Sequence, residues 1–365
     1  MEIKIEKRVL SEALTRVGRA ITGRVNTPIL DGVYMSATAE GLQLIGSDSN
    51  ITISTKIEDV QVIEEGAVVL EPRILGEIVR KLPEAEIHLK TEENLVTIKC
   101  LKSEFNIMYS PAEEYPSDIT IEEGSQLEVE QRVIKNMVKS VQFAASENDT
   151  RPVLKGILFE AKDCKLNLVA LDGYRLSKKS LELNDETDIT AIMEAKSFGE
   201  IARLMSDTDE MVEIKITRNH AVFKFQQTLI LLRMLEGTFV NYAALMPSDF
   251  KTKVKINRTE FIASLERASL MSDSNNHLAK VDVVGEKVIV SANSQLGKLK
   301  EEITISRDGD LDLTIAFNTR FVLDALKVID DSEIVMDLTS AVAPCIIRGA
   351  EDSTGEYLIL PVRLI

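Results

Sequence analysis

The chain has 365 residues, of which 44% are hydrophobic and 28% charged, a composition typical of a soluble globular protein. No apolar run approaches the roughly 20 residues that a membrane helix needs, so a membrane-spanning protein is not expected. The formal net charge of -16 argues at first against nucleic acid, since a uniformly acidic surface repels phosphate.

The first third of the chain predicts strands and two helices. Alternating Ile3 and Ile5 form a strand that leads into an amphipathic helix over 7–20. A second helix over 73–81 follows Pro72, a residue favoured at helix starts. Later, Val96, Ile98 and Cys100 alternate with polar residues, which indicates a half-buried strand.

A segment over 110–116 contains two prolines and breaks both periodicities. Together with the acidic run to Glu123, we interpret it as the linker to a second domain. The remaining chain repeats the order of elements, with a further break at 246–249. Its predicted helices cover 131–144, 196–205, 258–270 and 318–328.

An internal repeat sets the number of domains. The sequence GEIVRKL over 76–82 returns as GEIARLM over 199–205 and, more faintly, as LDALKVI over 323–329. The helix that precedes each copy also carries apolar residues at matching places. A period of about 120 residues suits whole domains better than solenoid units. We therefore predict three domains over 1–122, 123–247 and 248–365, whereas the alternative is chance similarity between amphipathic helices.

Strands that alternate with turns, and only two helices in each repeat, predict an α+β fold. In such a fold the helices pack on one face of largely antiparallel sheets.

The charge is unevenly distributed along the chain. The six predicted helices carry a net charge of about +10, which leaves about -26 for strands and loops. The basic helix residues that we expect on a common surface include Arg73, Arg80, Arg132, Lys135, Lys139, Lys196 and Arg203. The alternative is an ordinary solvated helix face with i, i+4 ion pairs, in which Glu77 and Glu200 serve as acidic partners.

Residues for catalysis are scarce. The three histidines, His88, His220 and His277, lack companions at metal or nucleophile spacing, and no phosphate-binding loop or nucleophile elbow is present. The three cysteines, Cys100, Cys164 and Cys345, are scattered singly, as in a reducing compartment. The N-terminus lacks the pattern of a signal peptide. We expect a cytoplasmic, non-enzymatic protein without cofactor or metal.

Several segments resemble one family. TRPVLKGILFE over 150–160 and LVALDGYRLS over 168–177 closely resemble the middle domain of the bacterial DNA polymerase III beta subunit, the sliding clamp. LEPRILGEIVRKLP over 70–83 is similar to its first-domain helix, and YLILPVRL over 357–364 to its terminal strand. The resemblance covers the whole chain in order.

This resemblance implies the DNA clamp fold, with a head-to-tail homodimer that closes into a ring of six similar domains around double-stranded DNA. Helices would line the hole and sheets would form the outer wall. A basic inner face attracts phosphates without contacts that select a sequence. The resemblance also makes Arg24, after the first helix, the best single candidate for DNA contact. The closing contacts would pair Phe105 and Ile107 with Leu270 and Met271 of the other protomer, a heterologous interface. The alternative for these four residues is intradomain core.

The resemblance further implies a cleft that receives short apolar peptides. Partners would be the replicative DNA polymerase alpha subunit, the clamp loader, other DNA polymerases and repair proteins. The residues that match the cleft are Leu154, Leu171, Gly173, Tyr174, Arg175, Leu176, Val240, Tyr242, Leu245, Leu358, Leu360, Pro361, Val362, Arg363 and Leu364. Apolar walls would desolvate anchor side chains while an arginine fixes polar ends.

The matched cleft departs from the family at four places. Leu171 stands where a threonine is common, Val240 where a proline is common, and Val362 where methionine is frequent. Ile365 extends beyond the usual end. These departures leave the preferred peptide sequence open.

The resulting hypothesis is a DNA polymerase processivity factor, associated with the nucleoid during replication. Two alternatives remain. One is an enzyme of unknown class, and the other is a clamp-like scaffold or second copy that does not serve the main replicase.

Overall fold

The structure is a computed structural model that describes residues 1–21, 27–148, 150–272, 277–295, 297–309 and 312–363. Each third of the chain contributes two helices, as predicted. They are α1 Lys7–Val17, α2 Pro72–Lys81, α3 Gln131–Gln142, α4 Ala195–Leu204, α5 Arg258–Leu270 and α6 Thr319–Leu326. The helix predicted over 7–20 ends at Val17, because a 3-10 turn over Gly18–Ala20 replaces its last turn.

The strands pair antiparallel. In the first third they are β1 Glu2–Glu6, β2 Val33–Thr38, β3 Gly41–Ser47, β4 Ile51–Ile57, β5 Gln61–Glu64, β6 Gly66–Leu70, β7 Glu86–Glu92, β8 Leu95–Cys100, β9 Ser103–Met108 and β10 Ser110–Pro111. In the second third they are β11 Ser125–Glu130, β12 Gly156–Lys162, β13 Lys165–Leu171, β14 Arg175–Glu182, β15 Ile189–Glu194, β16 Met211–Ile216, β17 His220–Phe225 and β18 Thr228–Arg233. In the last third they are β19 Thr252–Asn257, β20 Leu278–Val284, β21 Lys287–Ser294, β22 Gly297–Thr304, β23 Ser306–Asp308, β24 Leu313–Asn318, β25 Glu333–Leu338, β26 Cys345–Gly349 and β27 Gly355–Ile359.

The first compact unit comprises Met1–Val133 and Glu200–Met234. It holds a five-stranded sheet, in the order β5-β1-β7-β8-β9, and a nine-stranded sheet, in the order β10-β6-β2-β3-β4-β18-β17-β16-β11. The larger sheet is continuous because β4 pairs with β18, with Ile53 opposite Ile230. It therefore joins strands from the first two predicted repeats.

The second unit comprises Ile134–Gly199 and Leu235–Ile365. Its nine-stranded sheet has the order β15-β12-β13-β14-β27-β26-β25-β19-β23, and its four-stranded sheet the order β22-β21-β20-β24. Here β14 pairs with β27, so strands from the second and third repeats share one sheet. The three domain limits remain a prediction.

Local sequence explains why the helices form where they do. Pro72 occupies the first turn of α2, and the Glu71 carboxylate accepts hydrogen bonds from the backbone N–H of Arg73 and Ile74, at 2.9 and 2.6 Å. Leu75 and Val79, four residues apart, are fully buried. The helix thus buries one stripe of its surface and leaves its basic residues exposed.

The strand predicted around residues 96–100 is confirmed, since Val96, Ile98 and Cys100 are buried in β8. The segment over 110–116 is more than the predicted linker. Its first two residues form β10 on the edge of β6, and Tyr115 is buried, with its hydroxyl donating to the Ile45 carbonyl at 3.3 Å. Burial of the aromatic ring thus holds the segment against the sheet. Within the described part of the chain, no helix is long and apolar enough to cross a membrane.

Candidate functional site

An apolar row crosses four neighbouring strands of the second unit. Strand register places Leu171 of β13 opposite Leu176 of β14, Leu176 opposite Leu358 of β27, and Leu358 opposite Ile346 of β26. Directly opposed residues in antiparallel strands point to the same face of the sheet. These four residues, called the apolar row below, are all buried.

The apolar row belongs to a larger cluster on the same face. Leu154 joins it from the 3-10 helix Pro152–Lys155, and Tyr242 packs against it from the 3-10 helix Tyr242–Leu245. Five of the predicted cleft residues therefore meet in one cluster: Leu154, Leu171, Leu176, Tyr242 and Leu358.

Large exposed side chains lie close in sequence to members of this cluster. The exposed fraction is 64% for Tyr174, 37% for Val240, 46% for Leu245, and 38% for Leu360 and Val362. Single exposed apolar residues are common, but several from three neighbouring segments are typical of a surface that binds a partner.

Sequence reasoning missed part of the cluster. Ile346 lies within it, and the partly buried residues Val153, Leu235, Phe239, Met246 and Phe250 pack against it. The sequence does contain a signal for Ile346, because it lies in the apolar run CIIRG, which forms β26. Phe239 and Met246 directly flank the matched residues Val240 and Leu245.

A tight turn connects β13 to β14. The Asp172 Oδ1 atom accepts hydrogen bonds from the backbone N–H of Tyr174 and Arg175, at 2.8 and 3.0 Å. Gly173 has a φ of 95°, a left-handed conformation that favours glycine. The turn holds Tyr174 outward, where its ring stacks on Phe321 at a centroid distance of 6.1 Å.

The side chain of Arg175, another predicted cleft residue, does not join the apolar row. It neighbours Leu176 in β14, so its side chain lies on the opposite face of the sheet from the apolar row. Its guanidinium donates to Asp172 at 3.0 Å, to Asp324 at 2.6 Å and to the Phe143 carbonyl at 2.7 Å. These partners hold the guanidinium in place, and the assignment of Arg175 to the cleft remains a prediction.

The rings of Phe143 and Phe321 also face the Arg175 guanidinium, at 5.3 and 4.6 Å from their centroids. Asp172, Asp324 and these two aromatic residues together form what we call the Arg175 network. It ties the β13–β14 turn to α6.

The C-terminal segment is only partly a strand. The expected terminal strand ends at Ile359, because beyond it the backbone pairs elsewhere. The Leu360 N–H donates to the Tyr174 carbonyl at 2.9 Å, and the Val362 N–H donates to the Ala316 carbonyl at 2.8 Å. Pro361 is half-buried and Arg363 exposed, while the predicted residue Leu364 lies outside the described residues.

Tyr242 adds one polar contact next to the cluster. Its hydroxyl donates to the Glu160 carboxylate at 2.5 Å. Burial, and then this hydrogen bond, raise the pKa of Tyr242, so the hydroxyl stays neutral and orients the ring.

The predicted DNA-contact residues lie on α2, α3 and α4, except Arg24, which lies outside the described residues. Arg73, Arg80, Arg132, Lys139, Lys196 and Arg203 are exposed and Lys135 is half-buried. In these helices the buried residues occupy the other face, as Leu75 and Val79 do in α2. The amphipathic pattern therefore leaves most of the basic side chains in solvent.

Ion pairs engage some of these basic residues. Arg73 lies 3.8 Å from Glu77, and Arg132 lies 2.9 Å from Asp209. Glu200 pairs with both Arg203 and Arg19. The solvated-face alternative thus accounts for Arg73 and Arg203. In contrast, Arg80, Lys139 and Lys196 have no ion pair with any residue that the structure describes.

The four predicted dimer residues are not uniformly buried. Phe105 is 40% exposed on β9, the edge strand of the five-stranded sheet, and Leu270 is 69% exposed at the end of α5. Ile107 and Met271 are half-buried. The alternative of intradomain core is therefore wrong for Phe105 and Leu270. Their role in an interface remains a prediction.

No group of three or more His, Cys, Asp or Glu residues within the described ranges is placed to hold a metal ion.

Comparison with known proteins gives a consistent result. Three profiles of the DNA polymerase III beta subunit match in succession, the N-terminal domain over residues 1–120, the central domain over 128–241 and the C-terminal domain over 243–363. A relative named "Beta sliding clamp" from Bacillus subtilis is 33% identical over 376 aligned positions, and one of that name from Halalkalibacterium halodurans is 31% identical over 378. Both alignments cover 100% of each chain.

A solved structure agrees with the sequence comparison. The crystal structure of a DNA polymerase sliding clamp from Bacillus subtilis has a TM-score of 0.95 to this chain, at 33% identity and with 100% of both chains covered. The clamp fold and the family predicted from the motifs are confirmed. This chain belongs to the DNA polymerase III beta subunit family.

Proposed function

We propose that this chain is a DNA polymerase processivity factor, a non-catalytic sliding clamp that encircles duplex DNA and tethers other proteins to it. The observation that carries the tethering role is the apolar row, bordered by exposed apolar side chains. Two full-length relatives bear the name of a sliding clamp. The alternative, a clamp-like scaffold outside the main replicase, is therefore not favoured.

Charge separation supports the passage of DNA. Within the limits that the structure gives them, the six helices contain fourteen basic and six acidic residues, although the whole chain has a net charge of -16. Diffuse phosphate contacts from helix side chains give weak, salt-dependent binding without sequence preference. Such binding permits sliding. We retain Arg80, Lys139 and Lys196 as the leading contacts because they lack competing ion pairs with described residues.

A head-to-tail homodimer is the assembly we propose. β9 is an edge strand with a pairing partner on one side among the described strands, and it carries exposed Phe105. Leu270 supplies a second exposed apolar side chain, at the end of α5. When one surface of a chain binds a different surface of its partner, the interface is heterologous, and such interfaces close into a ring if the rotation between chains permits.

The proposed cleft binds short apolar peptide motifs. The partners are the replicative DNA polymerase alpha subunit, the clamp loader, other DNA polymerases and repair proteins, and the place of action is the cytoplasmic nucleoid during replication. The cluster offers aliphatic walls and the rings of Tyr242 and Phe239 as a desolvated surface for anchor side chains.

Clamp loading tests the proposed function. The chain is incubated with a clamp loader, ATP and nicked circular DNA, and bound protein is separated by gel filtration. We expect it to co-elute with the circle and to be lost after the circle is cut once, because a topological link ends at a free DNA end. Protein that remains bound to the linear product would contradict sliding.

The cleft is tested separately with a fluorescent apolar peptide from a polymerase C-terminus. Replacing the exposed residues Leu245 and Leu360 by aspartate should weaken peptide binding about tenfold or more, since each change puts a charge at an apolar anchor site. The matched control is Val284→Asp, which alters a similarly exposed side chain at the end of β20. Equal loss in the control would contradict the cleft.

Truncation after Ile359 gives a further test. It removes the hydrogen bonds from Leu360 and Val362 but leaves β27 complete. We therefore expect a folded protein by circular dichroism that has lost peptide binding. Retention of wild-type affinity would show that the terminal residues are not part of the cleft.

A further inference from the structure

The first unit contains a local copy of the arrangement around the apolar row. A 3-10 helix that begins with proline, Pro28–Asp31, precedes β2, just as Pro152–Lys155 precedes β12. Each strand then pairs with two others in the same order, β2 with β3 and β6, and β12 with β13 and β15. Equivalent side chains cluster in both units, namely Leu30 with Leu154, Tyr34 with Leu158, Ile45 with Val169, and Val69 with Ile192.

The copy differs where the cleft would hold aliphatic anchors. Ser47 and Thr52 are opposite each other in β3 and β4, as Leu171 and Leu176 are in β13 and β14. Their hydroxyls form a hydrogen bond of 2.8 Å. The first unit therefore lacks the Leu171–Leu176 half of the apolar row and is unsuited to the same apolar peptide.

An open cavity of about 570 Å³ lies in this copy instead. Its lining includes Tyr34, Ala67, Ala112, Glu113, Tyr115 and Asp118. The rings of Tyr34 and Tyr115 stack with centroids 5.2 Å apart. The Tyr115 hydroxyl is bound to Ile45, whereas the Tyr34 hydroxyl has no hydrogen-bond partner among the residues that the structure describes. One wall of the cavity is therefore aromatic, and the Tyr34 hydroxyl on it is available to a ligand.

The charge at this cavity is of one sign. Glu113 and Asp118 are exposed and form no ion pair with any described residue. The segment over 112–123 contains five acidic residues and no lysine or arginine. A cation near tyrosine rings and unpaired carboxylates gains both ionic and cation–π attraction, whereas phosphate is repelled.

The neighbouring sheet edge favours a peptide as the occupant. β10 pairs with only Val68 and Val69 of β6. Beside the cavity, at Ala67, the outer edge of β6 has no strand partner within the described chain. An extended peptide can add to such an edge through its main chain while side chains fill adjoining pockets.

We propose that this cavity is a second peptide-docking site, which takes an extended segment of a partner protein with an aromatic or aliphatic anchor next to an arginine or lysine. The inference rests on the proposed function, because it assumes that the chain recruits proteins through short peptides. It differs from the cleft in its position in the fold and in the charge of its ligand.

The test uses two fluorescein-labelled hexapeptides and fluorescence anisotropy with the full chain. One peptide contains one phenylalanine and two arginines, and the other replaces both arginines by glutamate. The site variant is Glu113→Lys with Asp118→Lys. Its matched control is Glu122→Lys with Glu123→Lys, which makes the same charge change at exposed residues outside the cavity lining. All four positions are exposed, so folding should be preserved.

We expect the basic peptide to bind and the acidic one not to bind, with about tenfold or greater loss of affinity in the site variant and little change in the control. Equal loss in both variants would overturn the inference, because only diffuse attraction would be present. Loss in the Leu245→Asp and Leu360→Asp variant would assign the basic peptide to the cleft and also overturn it.

Absence of basic-peptide binding up to about 1 mM, where the weakest specific complexes still appear, would likewise reject the second site. Binding of the apolar polymerase-tail peptide in the same preparation would then leave the proposed function standing. Failure of the second site and failure of the proposed function are thereby distinguished.

Discussion

Replacing Arg175 by alanine should destabilise the second unit and loosen the turn that carries Tyr174. Its side chain is only 13% exposed and donates to Asp172, Asp324 and the Phe143 carbonyl. The substitution removes three hydrogen bonds, two of them to carboxylates, and the contacts with two aromatic rings. Asp172 retains its backbone donors, so the turn weakens without losing every contact.

The magnitude follows from the burial of the partners. Removing one member of a buried ion pair costs about 3–5 kcal/mol. Asp324 is 39% exposed and becomes hydrated after the change, so we expect the lower end, about 3 kcal/mol. The matched control is Lys178→Ala in the same strand. The Lys178 side chain is 22% exposed, against 13% for Arg175, and its pair with Glu356 is worth about 1 kcal/mol at most.

Hydrogen–deuterium exchange is the assay, because a chain with two compact units need not unfold in a single step. In Arg175→Ala, peptides covering residues 168–178 should exchange about 100-fold faster, which corresponds to roughly 3 kcal/mol. Affinity for the apolar peptide should fall as well, because the turn positions Tyr174. Exchange no faster than in Lys178→Ala would refute a stabilising role for the Arg175 network.

Three further predictions concern assembly, DNA and pH. Leu270→Asp should reduce the mass in light scattering from twice 40.6 kDa to that of one chain, since a charge would be buried at the interface, and a persistent dimer would contradict this assignment. Arg80→Glu should reduce by about one the slope of log binding constant against log salt concentration for linear duplex DNA, whereas Lys162→Glu on strand β12 should leave that slope unchanged. Equal slopes for the two variants would exclude Arg80 as a DNA contact. Burial alone would raise the pKa of Asp352, but hydrogen bonds from Lys179 and from a nearby hydroxyl and amide lower the pKa to about 2. The resulting stabilisation, about 1 kcal/mol at most for this half-exposed group, is present above pH 4 and is lost as the pH falls to 2. In Lys179→Met the stability, measured by circular dichroism, should therefore depend less on pH between 4 and 2.

The sequence by itself determined the local elements and the family. Apolar residues three and four apart placed all six helices, and alternation over 96–100 placed a half-buried strand, because side-chain periodicity depends only on the local backbone. The repeat of GEIVRKL indicated whole-domain duplication. Segments such as LVALDGYRLS identified the family and the residues of the candidate cleft.

The tertiary structure decided which strands join and which way individual side chains face. The pairings of β4 with β18 and of β14 with β27 link residues more than 170 positions apart, and no local pattern encodes such a register. The pairing of β14 with β27 places Leu358 opposite Leu176, and β27 in turn adds Ile346 of β26 to the apolar row. Arg175 lies on the opposite face of the sheet from Leu176, where its guanidinium contacts Asp324 and two aromatic rings. Likewise, Tyr115 lies in a segment that resembles a linker in sequence, yet its ring is buried against Tyr34, because the apolar surface of a neighbouring sheet outweighs local turn signals.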